Sequence, residues 1–270
     1  MFPAKDGIFD RLTITDHFVF TEHKNLNSLG HRHSVMAEKT DHDNGLITAR
    51  RFFANTASTY DRCVRLWTLG QDRWWKKAIL EQIPPDSKRL LDQACGTGIL
   101  TLQIARRFPQ CRIVGVDLHR DYLSLAMKKA RAMGLSNVRW IHGRAEDVVL
   151  KGQYDCITSS YLAKYADLER LVWGAGKMLG KGGLIVMHDF TYPRIRLLSS
   201  ALRLWFFIMR NIGYYAFPDW KTAFNELEGF LQQSRWVPAL IRALRKNPFG
   251  RIRLKRLTFG FATVVLAEKV

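Results

Sequence analysis

The run Leu90-Leu91-Asp92-Gln93-Ala94-Cys95-Gly96-Thr97-Gly98 joins an apolar stretch, an acid and a two-glycine turn. The apolar stretch predicts a buried strand, and Ile99 to Phe108 after it has helical spacing. A strand feeding through a tight turn into a helix is half of a βα unit, which points to an α/β sheet. Gly96 and Gly98 permit positive φ and close backbone approach, so they are candidate ligand positions beside a helix N-terminus. Thr101 stands where a GxGxxG turn would carry its last glycine, and no Gly-Lys-Ser/Thr follows. An acid just ahead of the turn suits a ligand with positive charge better than a pyrophosphate. Asp92 is therefore expected to face a cationic group.

The alternation continues. Strands are expected at Arg89–Ala94, Arg112–Asp117, Val138–His142, Tyr154–Ser159 and Gly183–Asp189. Helical spacing falls between them, as in Arg120–Met133 and Asp167–Leu179, with a turn at Gly180-Lys181-Gly182-Gly183. This order predicts a mostly parallel sheet with helices on both faces and a ligand outside the carboxyl ends of the strands. Ahead of that core, residues 46–85 read as a helical lid, helical from Leu46 to Tyr60 and from Gln71 to Gln82 before Pro84-Pro85. Residues 1–45 read as a polar extension; His17, His23, His31, His33 and His42 lie there without a fixed ligand spacing, so no metal site is expected. Residues 191–248 are helical, aromatic and basic. In 249–270, the runs Arg251–Arg256 and Thr258–Ala267 predict an antiparallel hairpin at the sheet edge.

At 270 residues the chain suits one large domain with additions, and 47% hydrophobic residues can fill its core. The net charge of +18 calls for an anionic partner or surface: nucleic acid, lipid head groups or a polyanionic small molecule. Four scattered cysteines without paired spacing indicate a reducing compartment, and no stretch has the ~20 apolar residues of a membrane span. A cytoplasmic location, with peripheral attachment to the inner face of a membrane, is the expectation.

Asp-x-x-Cys-Gly-Thr-Gly closely resembles the first motif of class I S-adenosylmethionine (SAM) methyltransferases. The later strand ends supply what a sulfonium nucleoside needs. Asp117 ends the second strand, next to Leu118, and can accept the ribose hydroxyls. Arg144, Ala145 and Asp147 follow the third strand, where adenine would lie, and Ser159, Ser160 and Tyr161 follow the fourth. A dinucleotide dehydrogenase fits less well, because the third glycine is missing and Asp92 is present.

The segment Arg51-Phe52-Phe53-Ala54-Asn55-Thr56-Ala57-Ser58-Thr59-Tyr60-Asp61-Arg62, and then Thr68-Leu69-Gly70-Gln71-Asp72-Arg73-Trp74-Trp75-Lys76-Lys77, is similar to the ubiquinone/menaquinone C-methyltransferase (UbiE-like) family. So is the closing Arg256-Leu257-Thr258-Phe259-Gly260-Phe261-Ala262-Thr263-Val264. The resemblance covers roughly residues 50–192 and 250–270. It implies a Rossmann-like class I fold with a seven-stranded sheet and SAM as cofactor. The contacts it implies fall on Thr97, Asp117, the Arg144-Ala145 pair and Ser160, with Tyr60 over the cofactor. It also implies methylation of a ring carbon of a prenylated quinol. Three departures lie on the substrate side: Asp72 replaces a usual histidine, His188-Asp189-Phe190 replaces Glu-Phe-Ser, and Tyr161-Leu162-Ala163-Lys164-Tyr165 replaces a Gly-Leu-Arg-Asn-like segment. His188 and Asp189, with Tyr161 as hydrogen-bonding partner, are the candidate catalytic residues. Another lipid acceptor such as a phospholipid amine, and a catalytically silent SAM-binding protein, are the competing readings.

Arg196, Arg203 and Arg210 recur at seven-residue spacing on one helix face, among Leu197, Leu204, Trp205 and Phe206. One reading is a buried lid helix whose arginines reach solvent. The other is an interfacial helix on an anionic membrane, helped by basic residues through 235–256. RNA is the competing partner. The Asn/Asp-Pro-Pro-aromatic signature of RNA amino-methyltransferases is replaced by Ser159-Ser160-Tyr161-Leu162, which disfavours that subclass.

Overall fold

The computed structural model describes residues 14–16, 44–193 and 195–270. The histidines at 17, 23, 31, 33 and 42, and nearly all of the 1–45 extension, lie outside the described residues. Among those described, Ile14–Asp16 is a short strand, β1, that pairs in parallel with β4.

The core strands form where apolar runs were found: β2 (Arg89–Gln93), β3 (Arg112–Asp117), β4 (Val138–His142), β5 (Tyr154–Ser160) and β6 (Leu179–Phe190). After their first residue, β2 and β3 are buried throughout, as parallel strands covered on both faces must be. The closing pair is β7 (Phe249–Leu257) and β8 (Ala262–Lys269). Thr258–Gly260, expected at the start of the last strand, is a 3-10 turn. β6 starts earlier than the expected Gly183, pairing Leu179 with Tyr154 across a register shift before Leu184 meets Cys156.

The sheet order is β1-β4-β3-β2-β5-β6-β8-β7. The expected seven strands are present, and β1 adds an eighth at one edge. Pairs among β1 to β6 are parallel; β8 runs antiparallel to both β6 and β7. Strand order reverses at β2, between β3 and β5, and a crevice opens there at the carboxyl ends.

Helices α4 (Ile99–Arg107), α5 (Arg120–Ala132) and α6 (Leu168–Met178) cover the faces. The lid holds α1 (residues 44–53), α2 (Tyr60–Trp67) and α3 (Asp72–Leu80), so the helix expected from Leu46 to Tyr60 is broken by turns at 54–59. The 191–248 segment divides in two. α7 (Arg196–Ile208) runs through a π-turn at Met209–Gly213 into the short α8 (Tyr214–Ala216), and α9 (Lys221–Gln233) follows. Met209, Phe217, Trp220 and Phe224 from this part pack with Phe52, Cys63 and Tyr165 in a lid core. α10 (Trp236–Lys246) instead buries Trp236, Leu240, Ala243 and Leu244 in the sheet core with α6. All four cysteines are buried and unbonded. No helix among the described residues is long and apolar enough to cross a membrane.

Candidate active site

A cleft enclosing about 700 Å³, the open solvent at its mouth included, lies over the switch point. Ala94 and Gly96 come from the turn after β2, and Asp117, Leu118 and His119 from the end of β3. Arg144, Ala145 and Glu146 follow β4, and Ser160, Tyr161 and Leu162 follow β5. Phe53, Tyr60, Tyr122 and Tyr165 complete the wall.

The turn after β2 has a left-handed backbone at Ala94 (φ 53°), Gly96 (φ 58°) and Gly98 (φ 82°). A Cβ on Gly98 would meet Ala126 at 3.1 Å and Leu102 at 3.2 Å, so this glycine also serves close packing of α4 on α5. Asp117 holds the turn from the side. Its carboxylate accepts from the Gly96 N–H at 2.7 Å and the His119 N–H at 2.9 Å. Burial raises its pKa above the usual carboxylate value, against those two hydrogen bonds. His119 Nε2 is buried at this wall with no hydrogen-bond partner among the described residues. A left-handed turn, a carboxylate at the next strand end and an unpaired ring nitrogen together match the demands of a nucleoside with a cationic group.

Of the residues anticipated for the cofactor, Tyr60, Gly96, Asp117, Leu118, Arg144, Ala145 and Ser160 line the cleft, as does Tyr161. Four do not. Asp92 lies beneath the turn, where it accepts from Thr101 Oγ1 at 2.6 Å and Thr158 Oγ1 at 2.7 Å. Both its oxygens are engaged, so it supports the turn and presents no free oxygen to a ligand. Burial pushes its pKa up to about 6, opposed by the two threonine hydroxyls. Thr97 donates its hydroxyl to Asp61 on α2 at 2.5 Å, tying the turn to the lid. Lys129 pairs with the same Asp61 and donates to the Thr97 carbonyl at 3.1 Å. Gly98 sits behind the turn against α5. Asp147 turns outward to an ion pair with Arg170, and its neighbour Glu146 takes the cleft position, with Oε2 3.3 Å from Arg144 Nε. Phe53, His119, Tyr122 and Tyr165 were not anticipated; His119 alone had a sequence signal, two residues past Asp117.

Beyond the cleft lies an apolar chamber, and Phe53, Tyr60, Tyr161 and Tyr165 line both. Phe52, Val64, Trp220 and Phe224 close it, and Lys164 is its only charged side chain among the described residues. An outer apolar cavity of about 840 Å³, the open solvent at its mouth included, adjoins the chamber and shares Trp67, Thr68 and Phe190 with it.

Residues 39–269 match the ubiE/COQ5 methyltransferase family. The chain belongs to that family. It is 30% identical to the demethylmenaquinone methyltransferase of Deinococcus radiodurans over 82% of this chain and 92% of that one. It is 25% identical to the mitochondrial 2-methoxy-6-polyprenyl-1,4-benzoquinol methylase of Caenorhabditis elegans over 78% of this chain and 76% of that one. The fold is similar to that of geranyl diphosphate C-methyltransferase from Streptomyces coelicolor, at a TM-score of 0.54 and 18% identity over 74% of this chain and 79% of that one. An O-methyltransferase family protein from Burkholderia thailandensis has a TM-score of 0.58 at 15% identity, over 88% and 70% of the two chains. The protein is a SAM-dependent methyltransferase with a Rossmann-like class I fold.

In this methyltransferase a buried polar network stands behind the wall between cleft and chamber. Tyr161 donates to Asp72 Oδ1 at 2.6 Å. Lys76 donates to the same Oδ1 at 2.9 Å and to Ser160 Oγ at 2.7 Å. Ser160 Oγ lies 2.8 Å from His188 Nδ1. Burial, with Lys76 and Lys164 nearby, holds the His188 pKa well below its ordinary value, so the ring is neutral. Asp189 is fully engaged by the Lys164 ammonium at 2.6 Å, the Phe190 N–H at 2.7 Å and the Lys164 N–H at 3.1 Å. Neither His188 nor Asp189 lines the cleft or the chamber. The sequence pattern placed both at the fifth strand end; there the Trp75 and Tyr161 rings pack on His188, and both side chains are fully buried. Tyr161 is the one of the three candidates that reaches the cavity wall. Burial, then Asp72, raises its pKa well above the ordinary phenol value. Lys164 stands 4.4 Å from the Tyr165 ring centre, and burial lowers its pKa against the pull of Asp189.

Proposed function

We propose that this methyltransferase methylates a ring carbon of a prenylated quinol. The observation that carries this is the row of three cavities. The SAM cleft shares Tyr161 and Tyr165 with an apolar chamber, and that chamber shares Trp67 and Phe190 with an outer apolar cavity. A ring fits the aromatic chamber and an isoprenoid tail fits the outer cavity. The named activities of the relatives from Deinococcus radiodurans and Caenorhabditis elegans point the same way.

Asp117, the Gly96 turn, Arg144-Ala145, Ser160 and Tyr60 would hold SAM, with Glu146 in place of Asp147 near the base and Asp92, Thr97 and Gly98 shaping the turn. SAM when bound supplies an electrophilic methyl group on a sulfonium. The protein holds the acceptor carbon in line with it and excludes water. A quinol carbon becomes nucleophilic when a ring hydroxyl loses its proton. Tyr161 is the relay: its oxygen takes that proton as its own passes to the Asp72 carboxylate. Lys76 is ion-paired with that same carboxylate oxygen and orients it toward Tyr161. The ammonium of Lys164, at the chamber wall, stabilises the developing phenolate. After methyl transfer the ring carbon releases its hydrogen to solvent as a proton, which restores aromaticity, and the proton held on Asp72 returns through Tyr161 to the ring oxygen. Peripheral attachment to an anionic membrane, through Arg196, Arg203, Arg210 and the basic 235–256 stretch, completes the proposal. Three cations of that stretch are already paired, Lys246 with Glu169, Arg251 with Glu268 and Lys255 with Glu81.

The test incubates the protein with methyl-labelled SAM and, separately, a reduced prenylated quinol, a total lipid extract and total RNA. Label is expected on the quinol ring. Label in RNA and not in lipid overturns the proposal, and label on a phospholipid amine replaces the acceptor.

A further inference from the structure

Two bulky apolar side chains stand at turn tips in a backbone region that disfavours them. Leu69, between α2 and α3, has φ 50° and is 67% exposed; Phe259, between β7 and β8, has φ 55° and is 82% exposed. Strain of this kind persists where the surrounding structure imposes it, and it gathers at functional surfaces. The two turns are tied together. Thr258 Oγ1 accepts from Trp75 Nε1 at 2.8 Å and donates to Gln71 Oε1 at 3.2 Å.

Both turns border the outer apolar cavity, which Leu69 and Thr258 line. The facing border is α7, where the exposed Ala201 lines the same cavity. A helix turns about 100° per residue, so Leu197 and Leu204 fall within about 60° of Ala201. They are 78% and 61% exposed. Arg196 and Arg203 lie about 80–100° beyond Leu204 on α7, and Arg210 sits in the π-turn that follows; all three are exposed. No acidic residue occurs from Phe190 to Pro218.

We propose that this rim is the membrane-docking surface: Leu69, Phe259, Leu197 and Leu204 enter the acyl boundary of an anionic bilayer while the three arginines meet lipid phosphates. The charge pattern selects the occupant. An apolar stripe with cations on its shoulder and no acid matches an anionic head-group layer over hydrocarbon. An apolar cavity opens in the middle of this rim, so a lipid-soluble molecule could pass from bilayer to chamber without crossing water. The proposal deepens the peripheral attachment proposed above. Its test contains no methyl acceptor, so its failure and a failure of the quinol reading are distinguishable.

The test is co-sedimentation of the full chain with vesicles of equal parts phosphatidylglycerol and phosphatidylcholine, against vesicles of phosphatidylcholine alone. Phe259→Asn and Leu204→Gln, singly and together, are the variants. Asparagine tolerates the left-handed region and neither side chain lines a cavity, so melting temperature and SAM affinity serve as controls for folding. Each single change should weaken partitioning about ten-fold and the pair about a hundred-fold. The unaltered chain should bind the mixed vesicles at least ten-fold more tightly than the neutral ones. Unchanged partitioning in the double variant overturns the proposal, as does equal binding to both vesicle types. Self-association that the double variant abolishes, with no vesicle binding by the unaltered chain, assigns the rim to a second copy and overturns it as well.

Discussion

Tyr161 Oη donates to Asp72 Oδ1 across 2.6 Å, joining the end of β5 to the first turn of α3. Tyr161 is held there at φ 70°, a left-handed conformation unusual for an aromatic residue, with its ring stacked on Phe190 at 4.7 Å. Tyr161→Phe keeps the ring and removes the relay. Turnover should fall about 10²- to 10⁴-fold in single-turnover assays with labelled SAM. SAM affinity should stay within about two-fold. An equal loss of SAM affinity and turnover would instead mark Tyr161 as a wall residue.

Asp117 accepts two backbone N–H groups and faces the cleft, so its removal strikes the turn and the proposed ribose contact together. Asp117→Ala should weaken SAM binding about ten- to hundred-fold by titration calorimetry, the range expected for lost hydrogen bonds to a charged group. Near-normal affinity would remove the ribose assignment.

Asp92 offers a sign that acid titration can read. Its folded pKa is about 6 against an ordinary 3.8, so the folded state holds this proton more tightly than the unfolded chain. Its contribution to stability is full below about pH 4 and is lost as pH rises through about 6. Asp92→Asn escapes that loss, with amide and threonine hydroxyls still able to pair. The variant should melt above the unaltered protein at pH 7.5, by up to about 3 kcal/mol, with the gap closing near pH 4. A lower melting temperature at neutral pH would show that the ionised carboxylate is needed.

Ala94 carries a Cβ at φ 53° in the cleft wall. Ala94→Gly relieves a left-handed strain of about 1–2 kcal/mol against an entropic loss of about 0.5–1 kcal/mol. The melting temperature should hold or rise slightly by calorimetry. Ala94→Val, β-branched in the same conformation, should lower it clearly and weaken SAM binding. Equal melting temperatures for the two variants would mean that the turn relaxes.

The strands β2 to β6 were legible because buried parallel strands are continuous apolar runs ending in glycine or acid. The cleft's Asp117 and Arg144-Ala145 followed from being at those ends. Which face a loop residue takes was not legible: Glu146 and Asp147 are adjacent acids, and the pairing of Asp147 with Arg170 turns one out while Arg144 and the Asp167 N–H hold the other in. Asp92 was visible as an acid, but its two threonine partners lie 9 and 66 residues away. The relay pairs Tyr161 with an acid 89 residues earlier, a juxtaposition no local pattern encodes. The helical segment after β6 read as one insertion because its apolar residues are alike in kind; packing assigns α10 to the sheet and α7 to the surface.

The strand order has a consequence for assembly. β8 is last in sequence among the strands yet sits between β6 and β7, and β7 has no other neighbour in the sheet. During synthesis β7 must wait, unpaired, until β8 has left the ribosome. The turn that lifts Phe259 into place is drawn tight by that same pairing. An unfinished chain therefore lacks a placed Phe259, and the docking rim proposed above is complete only when the sheet is whole.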